Sequence, residues 1–162
     1  RKASLATNNP TFALSWPMID KPWWFPYNGA AAKRSECMKI REMVRVLEAR
    51  VLAGQQGLDR EVISACCSDL MSDVLAFVNE KTVLLTGLTN LHVVRTAEIL
   101  DLKCVIFARG KVPADDILAR ADEIGLVVLL SRHTMFTSAG LLYEGGLRGA
   151  ALPTDETAPQ AS

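Results

Sequence analysis

From residue 38 onward the chain alternates between two periodicities. Ile40, Met43, Val44 and Leu47 recur at helical spacing, with Lys39, Arg41, Glu42 and Arg45 on the opposite face, which predicts an amphipathic helix over residues 39–48. A short strand is expected at 50–53, a turn bracketed by Gly54 and Gly57, and a second short strand over 60–65. Ser68 stands where its hydroxyl can cap a helix running to about Phe77, with Asp69 in the first turn. Beyond it, apolar runs at 82–86, 104–107 and 126–130 take turns with helical stretches at 93–100, 114–124 and 134–143. Gly125 closes the second of these helices, and Gly145 and Gly146 follow the last. Continuous apolar strands belong to a sheet covered on both faces, and intervening helices imply right-handed crossovers between parallel strands. The fold class is therefore α/β, a three-layer α/β/α domain with a mostly parallel central sheet.

Residues 1–37 follow neither period. They hold all three Trp, four of the seven Pro and six of the ten aromatic residues, and their prolines forbid a long helix. Five basic against two acidic residues give this stretch +3, whereas residues 38–162 carry 13 basic and 16 acidic residues, or −3. The run Lys33-Arg34-Ser35-Glu36-Cys37 is compatible with codons containing a bacterial ribosome-binding sequence just ahead of Met38. Residues 1–37 are accordingly expected to be a non-domain segment, disordered or a translation-start artefact, with a flexible aromatic arm as the alternative. The ordered domain is expected over 38–148, and 149–162, with Pro153, Pro159 and small polar residues, as a disordered tail.

Charge and composition remove several function classes. The 162 residues suit one ordinary domain, and 18 basic against 18 acidic side chains supply no net field for a phosphate backbone. No stretch approaches the ~20 apolar residues of a bilayer span, because Lys81, Arg95 and Lys103 interrupt the most apolar region. A cytoplasmic location is expected, with neither nucleic acid nor membrane as a partner.

In an open parallel sheet, ligands sit beyond the carboxyl ends of the strands and beside helix amino termini. Three loops there are informative: Thr86-Gly87-Leu88-Thr89-Asn90-Leu91-His92, Ala108-Arg109-Gly110-Lys111-Val112-Pro113 and Ser131-Arg132-His133-Thr134. Thr86, Thr89, Asn90, His92, Arg109, Gly110, His133 and Thr134 are the candidate ligand-binding residues, suited to a small anionic metabolite or nucleotide. The plain alternative is that Ser68, Thr89 and Thr134 only cap helices, that Pro113 is a first helical residue, and that His92 is half-buried and satisfied. Asp115 and Asp116 already complement their helix dipole, which argues against an anion there.

No catalytic constellation stands out. Gly87, Gly110 and Gly125 lack the Lys-Ser/Thr that completes a Walker phosphate loop, and neither Gly-x-Gly-x-x-Gly nor Gly-x-Ser-x-Gly occurs. Cys37, Cys66, Cys67 and Cys104 form no Cys-x-x-Cys pair, so buried free thiols are expected, with no metal and no cofactor.

Residues 38 to about 148 resemble the small stand-alone DRTGG-domain proteins. The resemblance rests on Met38-Lys39-Ile40-Arg41-Glu42, on Gly57-Leu58-Asp59-Arg60-Glu61-Val62, on Ser68-Asp69-Leu70-Met71-Ser72-Asp73-Val74-Leu75-Ala76 and on the 134–143 helix. Asp59, Arg60, Ser68, Asp69 and Asp73 are its motif positions. It implies similarity to the amino-terminal domain of HPr kinase/phosphorylase and to the middle domain of large phosphotransacetylases, and a fold like the Mur ligase amino-terminal domain. In such proteins the domain accompanies a catalytic one and carries no established catalysis itself. Stand-alone members often neighbour iron-only hydrogenase genes, and that subset shows Thr-x-x-Thr-His-x-Asn, matched by Thr86, Thr89, Asn90 and His92 with His and Asn exchanged. The chain departs from the family where Gly87-Leu88-Thr89 replaces Gly-Asp-Arg and where Arg109-Gly110 replaces paired glycines.

The resemblance implies a non-catalytic regulatory domain that senses a small polar or anionic metabolite and signals to a partner protein. The alternatives are an accessory domain for a kinase or phosphotransferase whose catalytic part is another chain, and a ligand-free interaction module. A homodimer is expected through Ala139, Leu142 and Tyr143 of the last helix. Removal of residues 1–37 should leave the thermal midpoint within about 5 °C of the full chain, since a larger drop would show that the aromatic arm packs on the core.

Overall fold

The computed structural model describes residues 37–150. The readings of residues 1–36 and 151–162 lie outside the described residues. In chain order the elements are β1 (Met38–Lys39), α1 (Ile40–Val46), β2 (Arg50–Ala53), a 3-10 turn at Gln55–Gly57, β3 (Glu61–Val62) and β4 (Ser64–Cys67). There follow α2 (Met71–Phe77), β5 (Thr82–Thr86), α3 (Leu91–Ile99), β6 (Cys104–Phe107), α4 (Asp115–Glu123), β7 (Val127–Leu130), α5 (Met135–Glu144) and β8 (Arg148–Gly149).

Six strands form one sheet in the order β2-β7-β6-β5-β4-β8, in which β4 to β8 run parallel and only β2 lies antiparallel, against β7. All residues of β5, β6 and β7 are buried. Successive side chains alternate between the two faces. Val83, Leu85, Cys104, Ile106, Val127 and Leu129 meet Ile40, Met43 and Leu47 of α1 and its flank and Leu142 of α5. Leu84, Val105, Phe107, Val128 and Leu130 meet Val74 of α2, Val93, Val94 and Ala97 of α3 and Ile117 and Ala121 of α4. The expected three layers are present.

The sheet winds one way from β4 through β5 and β6 to β7, then α5 returns the chain past three strands to place β8 on the far side of β4. Because right-handed crossovers must change face when they change direction, α2, α3 and α4 cover one face and α5 the other. That reversal sends the loop after β7 to the opposite face of the sheet from the loops after β4, β5 and β6.

Several local readings are corrected. The strand expected over 60–65 is two strands, and Val62 and Glu61 pair with Met38 and Lys39 in a separate antiparallel ribbon. Ser68 is not the cap of α2. The cap position is Leu70, and the Ser68 hydroxyl accepts from the Leu70 amide at 3.0 Å in a turn ahead of the helix. Asp69 thus lies outside the first turn. Thr89 does not cap α3 either, where Asn90 holds the cap position without a side-chain bond, and Pro113 precedes the Ala114 cap of α4. Thr134 does cap α5, accepting from the Thr137 amide. Leu142, expected on a contact surface, is 1% exposed and belongs to the core.

Gly54 ends β2 in the left-handed region at φ +72°, and its amide donates to Asp122 Oδ1 at 2.7 Å. A Cβ there would run into the Leu126 carbonyl and lie 2.7 Å from Val127 Cα, backbone atoms at the entry to β7. Gly110, at φ +65°, has nothing within 4 Å of the same position. Gly54→Ala should therefore cost more than about 3 kcal/mol through strain and strand displacement, whereas Gly110→Ala should cost only about 1–2 kcal/mol, the penalty of a left-handed Cβ. Denaturant titration of both variants checks the contrast, and equal losses would show that the edge β2–β7 pairing yields easily.

Candidate functional site

The loops beyond β4, β5, β6 and β7 are tied to one another. Asp69, just past β4, accepts through Oδ1 from the Thr86 hydroxyl at 2.8 Å and from the Gly87 amide at 2.7 Å, joining the β4 loop to the end of β5. Thr86 Oγ1 in turn accepts from the Leu88 amide at 3.2 Å, and the Thr86 carbonyl from the Ala108 amide at 2.9 Å. From β6, Arg109 Nη2 reaches back to the Gly87 carbonyl at 3.1 Å. A Cβ on Gly87 would lie 2.7 Å from the guanidinium carbon, so glycine is what lets that side chain cross the β5 loop closely.

The β6 loop turns on two consecutive left-handed residues, Arg109 and Gly110, both at φ +65°. A non-glycine residue in that region is held there by its surroundings. The Arg109 amide donates to the His133 carbonyl and the Gly110 amide to the Ser131 carbonyl, both at 2.8 Å. Ser131 is fully buried, its amide bonds the Phe107 carbonyl at 2.9 Å, and its hydroxyl pairs with Ser138 of α5 at 3.0 Å while accepting from the His133 amide at 3.2 Å. A polar belt thus crosses four loops from Asp69 to α5. Among the described residues, every buried side-chain nitrogen and oxygen has a partner.

The electrostatics are mixed. Partial desolvation, the largest influence on the Asp69 carboxyl, pushes its pKa up, but the Gly87 amide, the Thr86 hydroxyl, the Arg109 charge and the Leu88 amide together outweigh it and hold it below the usual carboxylate range. The rim therefore carries a fixed anion beside its central cation. Arg132 and Lys111 add exposed positive charge on the two neighbouring loops.

Of the predicted ligand-binding residues, Thr86, Arg109, Gly110 and His133 fall on the belt, His133 through its backbone. Its half-buried imidazole has no hydrogen-bond partner among the described residues, and Thr134 is engaged as a helix cap. Thr89 and Asn90 sit on the same β5 loop, half-buried and exposed. His92 is exposed on the first turn of α3 instead of half-buried and satisfied. Asp69 acts through side-chain bonds to the end of the next strand and not through the helix dipole expected from its sequence position. Its sequence signal was Ser68, which forms a turn that aims the following carboxylate inward.

Other motif positions lie elsewhere. Asp59 forms a two-pronged pair with Arg41 at 2.9 and 3.0 Å, whose hydrogen bond and charge lower the Asp59 pKa, and Arg60 Nη1 donates to the Gly125 carbonyl at 2.7 Å, ahead of β7. Both belong to the amino end of the sheet. Asp73 is exposed in the first turn of α2. Two open hollows, about 400 and 360 Å³, lie at Met38, Arg45 and Gly145 and between α3 and α4.

The thiols differ from the expected buried set: Cys104 is buried, Cys37 and Cys66 are half-buried, and Cys67 keeps solvent contact. Desolvation and then Cys66 still push the Cys67 thiol up to about 11, and desolvation followed by Asp73 raises Cys66, which leaves both protonated and weakly nucleophilic. No group of three or more His, Cys, Asp or Glu among the described residues could hold a metal, and no described helix is long and apolar enough to cross a membrane.

No protein family and no curated protein matches the sequence. Among solved structures, the chain is similar to the CBS and DRTGG domains of the regulatory region of Clostridium perfringens pyrophosphatase, complexed with its activator diadenosine tetraphosphate, at a TM-score of 0.55 and 15% identity. The match covers 73% of this chain and 49% of that one, so the chain spans about half the length of this neighbour. At that identity the likeness is one of fold, and it agrees with the α/β/α architecture described above.

Asp69→Ala would leave the buried Thr86 hydroxyl and Gly87 amide without their acceptor and should cost about 1–3 kcal/mol at neutral pH. A carboxylate whose folded pKa is depressed contributes stability that is full above its unfolded pKa of about 3.9 and fades as pH falls through the folded value. Stability measured from pH 7 to 2 should accordingly drop less steeply below about pH 4 in Asp69→Asn than in the wild type. Parallel profiles would show that the carboxylate is not the group that ties β4 to β5.

Proposed function

We propose that this domain is a regulatory, non-catalytic module of the DRTGG type that senses a nucleotide at the carboxyl-end rim of its sheet and passes its state to a partner protein. The observation that carries this reading is that Asp69 and Arg109 both hold Gly87 of the β5 loop, one through its amide and the other through its carbonyl. Asp69 would repel a bare anion such as inorganic phosphate. Its outer oxygen can accept from ligand hydroxyls while Arg109, Arg132 and Lys111 meet ligand phosphates, so a nucleoside phosphate suits the mixed rim better. The activator of the pyrophosphatase region is of this chemical class, which supports the choice. Placement near HPr kinase or phosphotransacetylase domains and a role in hydrogenase or energy metabolism rest on the sequence resemblance, and a cytoplasmic location on the composition.

A second reading is favoured by one specific observation. The belt is satisfied internally, as expected of a rigid platform that only contacts another protein. The two readings separate in solution. If the rim binds, AMP, ATP or diadenosine tetraphosphate at one hundred times its dissociation constant should stabilise the fold by about 2.7 kcal/mol. Because Arg109 also holds the Gly87 carbonyl, Arg109→Ala should lower unliganded stability by about 0.5–1.5 kcal/mol. Nucleotide affinity should fall by about tenfold in the same variant. A thermal-shift series in which neither these nucleotides, acetyl phosphate nor organic acids move the wild-type midpoint would remove the sensor and leave the platform.

A further inference from the structure

Helices α3 and α4 lie side by side on one face of the sheet and, because each follows a strand of the parallel set, they run in the same direction. Leu91, Arg95 and Glu98, spaced four and three residues apart, form a row on α3, and Asp116 and Arg120, four apart, form a row on α4. These five residues line the open hollow of about 360 Å³ between the two helices. Toward the carboxyl ends the rows are joined. Arg120 Nη2 donates to Glu98 Oε1 at 2.5 Å, and its Nη1 to Glu123 Oε2 at 3.0 Å.

One turn nearer the amino ends the rows are not joined. Arg95 lies about 4.5 Å along α3 from Glu98, and Asp116 about 6 Å along α4 from Arg120, so the two stand at nearly the same level. They nevertheless form no ion pair with each other, and neither has a hydrogen-bond partner among the described residues. The hollow thus has an unpaired guanidinium on one wall and an unpaired carboxylate on the other, with the half-buried Leu91 one turn beyond Arg95.

We propose that this open rung binds an aliphatic α-amino acid as its zwitterion, with the carboxylate on Arg95, the ammonium on Asp116 and the side chain against Leu91. Facing walls of opposite charge call for both charges on one ligand. A simple anion would gain Arg95 but meet Asp116, Glu98 and Glu123, and a simple cation would gain Asp116 but meet Arg95. The guanidinium can take both oxygens of a carboxylate with two parallel N–H donors, whereas the ammonium is a compact triple donor suited to a carboxylate acceptor. Both charged walls are exposed, so solvent weakens each contact and the affinity is of millimolar order. The proposal does not rest on the nucleotide reading, whose residues lie on the loops of the rim.

Amide NMR of the full chain titrated with L-leucine, from about 0.1 to 50 mM, tests this. The wild type should show saturable shifts over residues 91–98 and 115–120. N-acetyl-leucine, which lacks the cation, and leucinamide, which lacks the anion, should each bind at least about tenfold more weakly. Arg95→Gln and Asp116→Asn should each raise the dissociation constant about tenfold while leaving the thermal midpoint within about 3 °C, because both side chains are exposed and hold no other group in place. No saturable shift at 50 mM overturns the proposal and would mean that Arg95 swings onto Asp116 and closes the rung itself. Equal affinity for N-acetyl-leucine or leucinamide overturns it as well, as does binding that survives both substitutions or shifts confined to the loops after β6 and β7. Titration of the same samples with ATP keeps the two ideas apart: leucine binding without nucleotide binding removes only the nucleotide sensor.

Discussion

A sheet with no wet face is the constraint from which the rest follows. Every residue of β5, β6 and β7 is buried, with helices on both sides, so these strands cannot display a polar side chain along their length without burying it. Thr82 and Thr86 show the rule by position: they close the two ends of β5, and each bonds a neighbouring loop or strand, Thr82 to Ser64 and Thr86 to Asp69. Polar chemistry is thereby confined to the strand ends. The reversal of winding after β7 then decides which end is crowded, since it leaves α5 alone with α1 on one face and brings the start of α5 to the same rim as the loops after β4, β5 and β6.

The belt gives that rim a definite character. Its bonds run from side chain to backbone and between backbones across four separate loops, so no loop adopts its shape independently. The anion and the cation it holds are contributed by different strands, Asp69 after β4 and Arg109 after β6, with Gly87 of β5 between them. On the nucleotide reading proposed above, this arrangement suits ligands that offer both hydroxyl donors and negative charge. The protonated, desolvated thiols of Cys66 and Cys67 lie close to it in sequence yet add no reactive centre.

Much of the fold was legible because it depends on long apolar runs. Thr82–Thr86, Cys104–Phe107 and Val127–Leu130 stand out as strands, and the helices between them recur at the expected spacing. What escaped were β1 and β8 and the break between β3 and β4, which span two residues each or interrupt a run at one position, Ile63. Two residues carry no period. Within the site, strand order alone puts Arg109 and His133 beyond the carboxyl ends of β6 and β7. The role of Asp69 is not legible in the sequence, because a serine that caps a helix and a serine that closes a turn two residues earlier look alike in sequence and differ only in backbone angles. Leu142 and Phe136 were likewise indistinguishable as apolar residues of one helix. Only the direction from which α5 approaches the sheet puts the first in the core and leaves the second in water.

Successive amides in a turn of left-handed residues often form a concavity that captures an anion directly through the main chain. Here the amides of Arg109 and Gly110 are already occupied by the carbonyls of His133 and Ser131. Whatever the β6 loop recognises, it must recognise with side chains. Main-chain recognition changes only when a loop is rebuilt, but side-chain recognition changes with one codon. On the sensor reading, a descendant of this chain could therefore change its specificity at position 109 or 111 while the turn that carries them keeps its main-chain bonds.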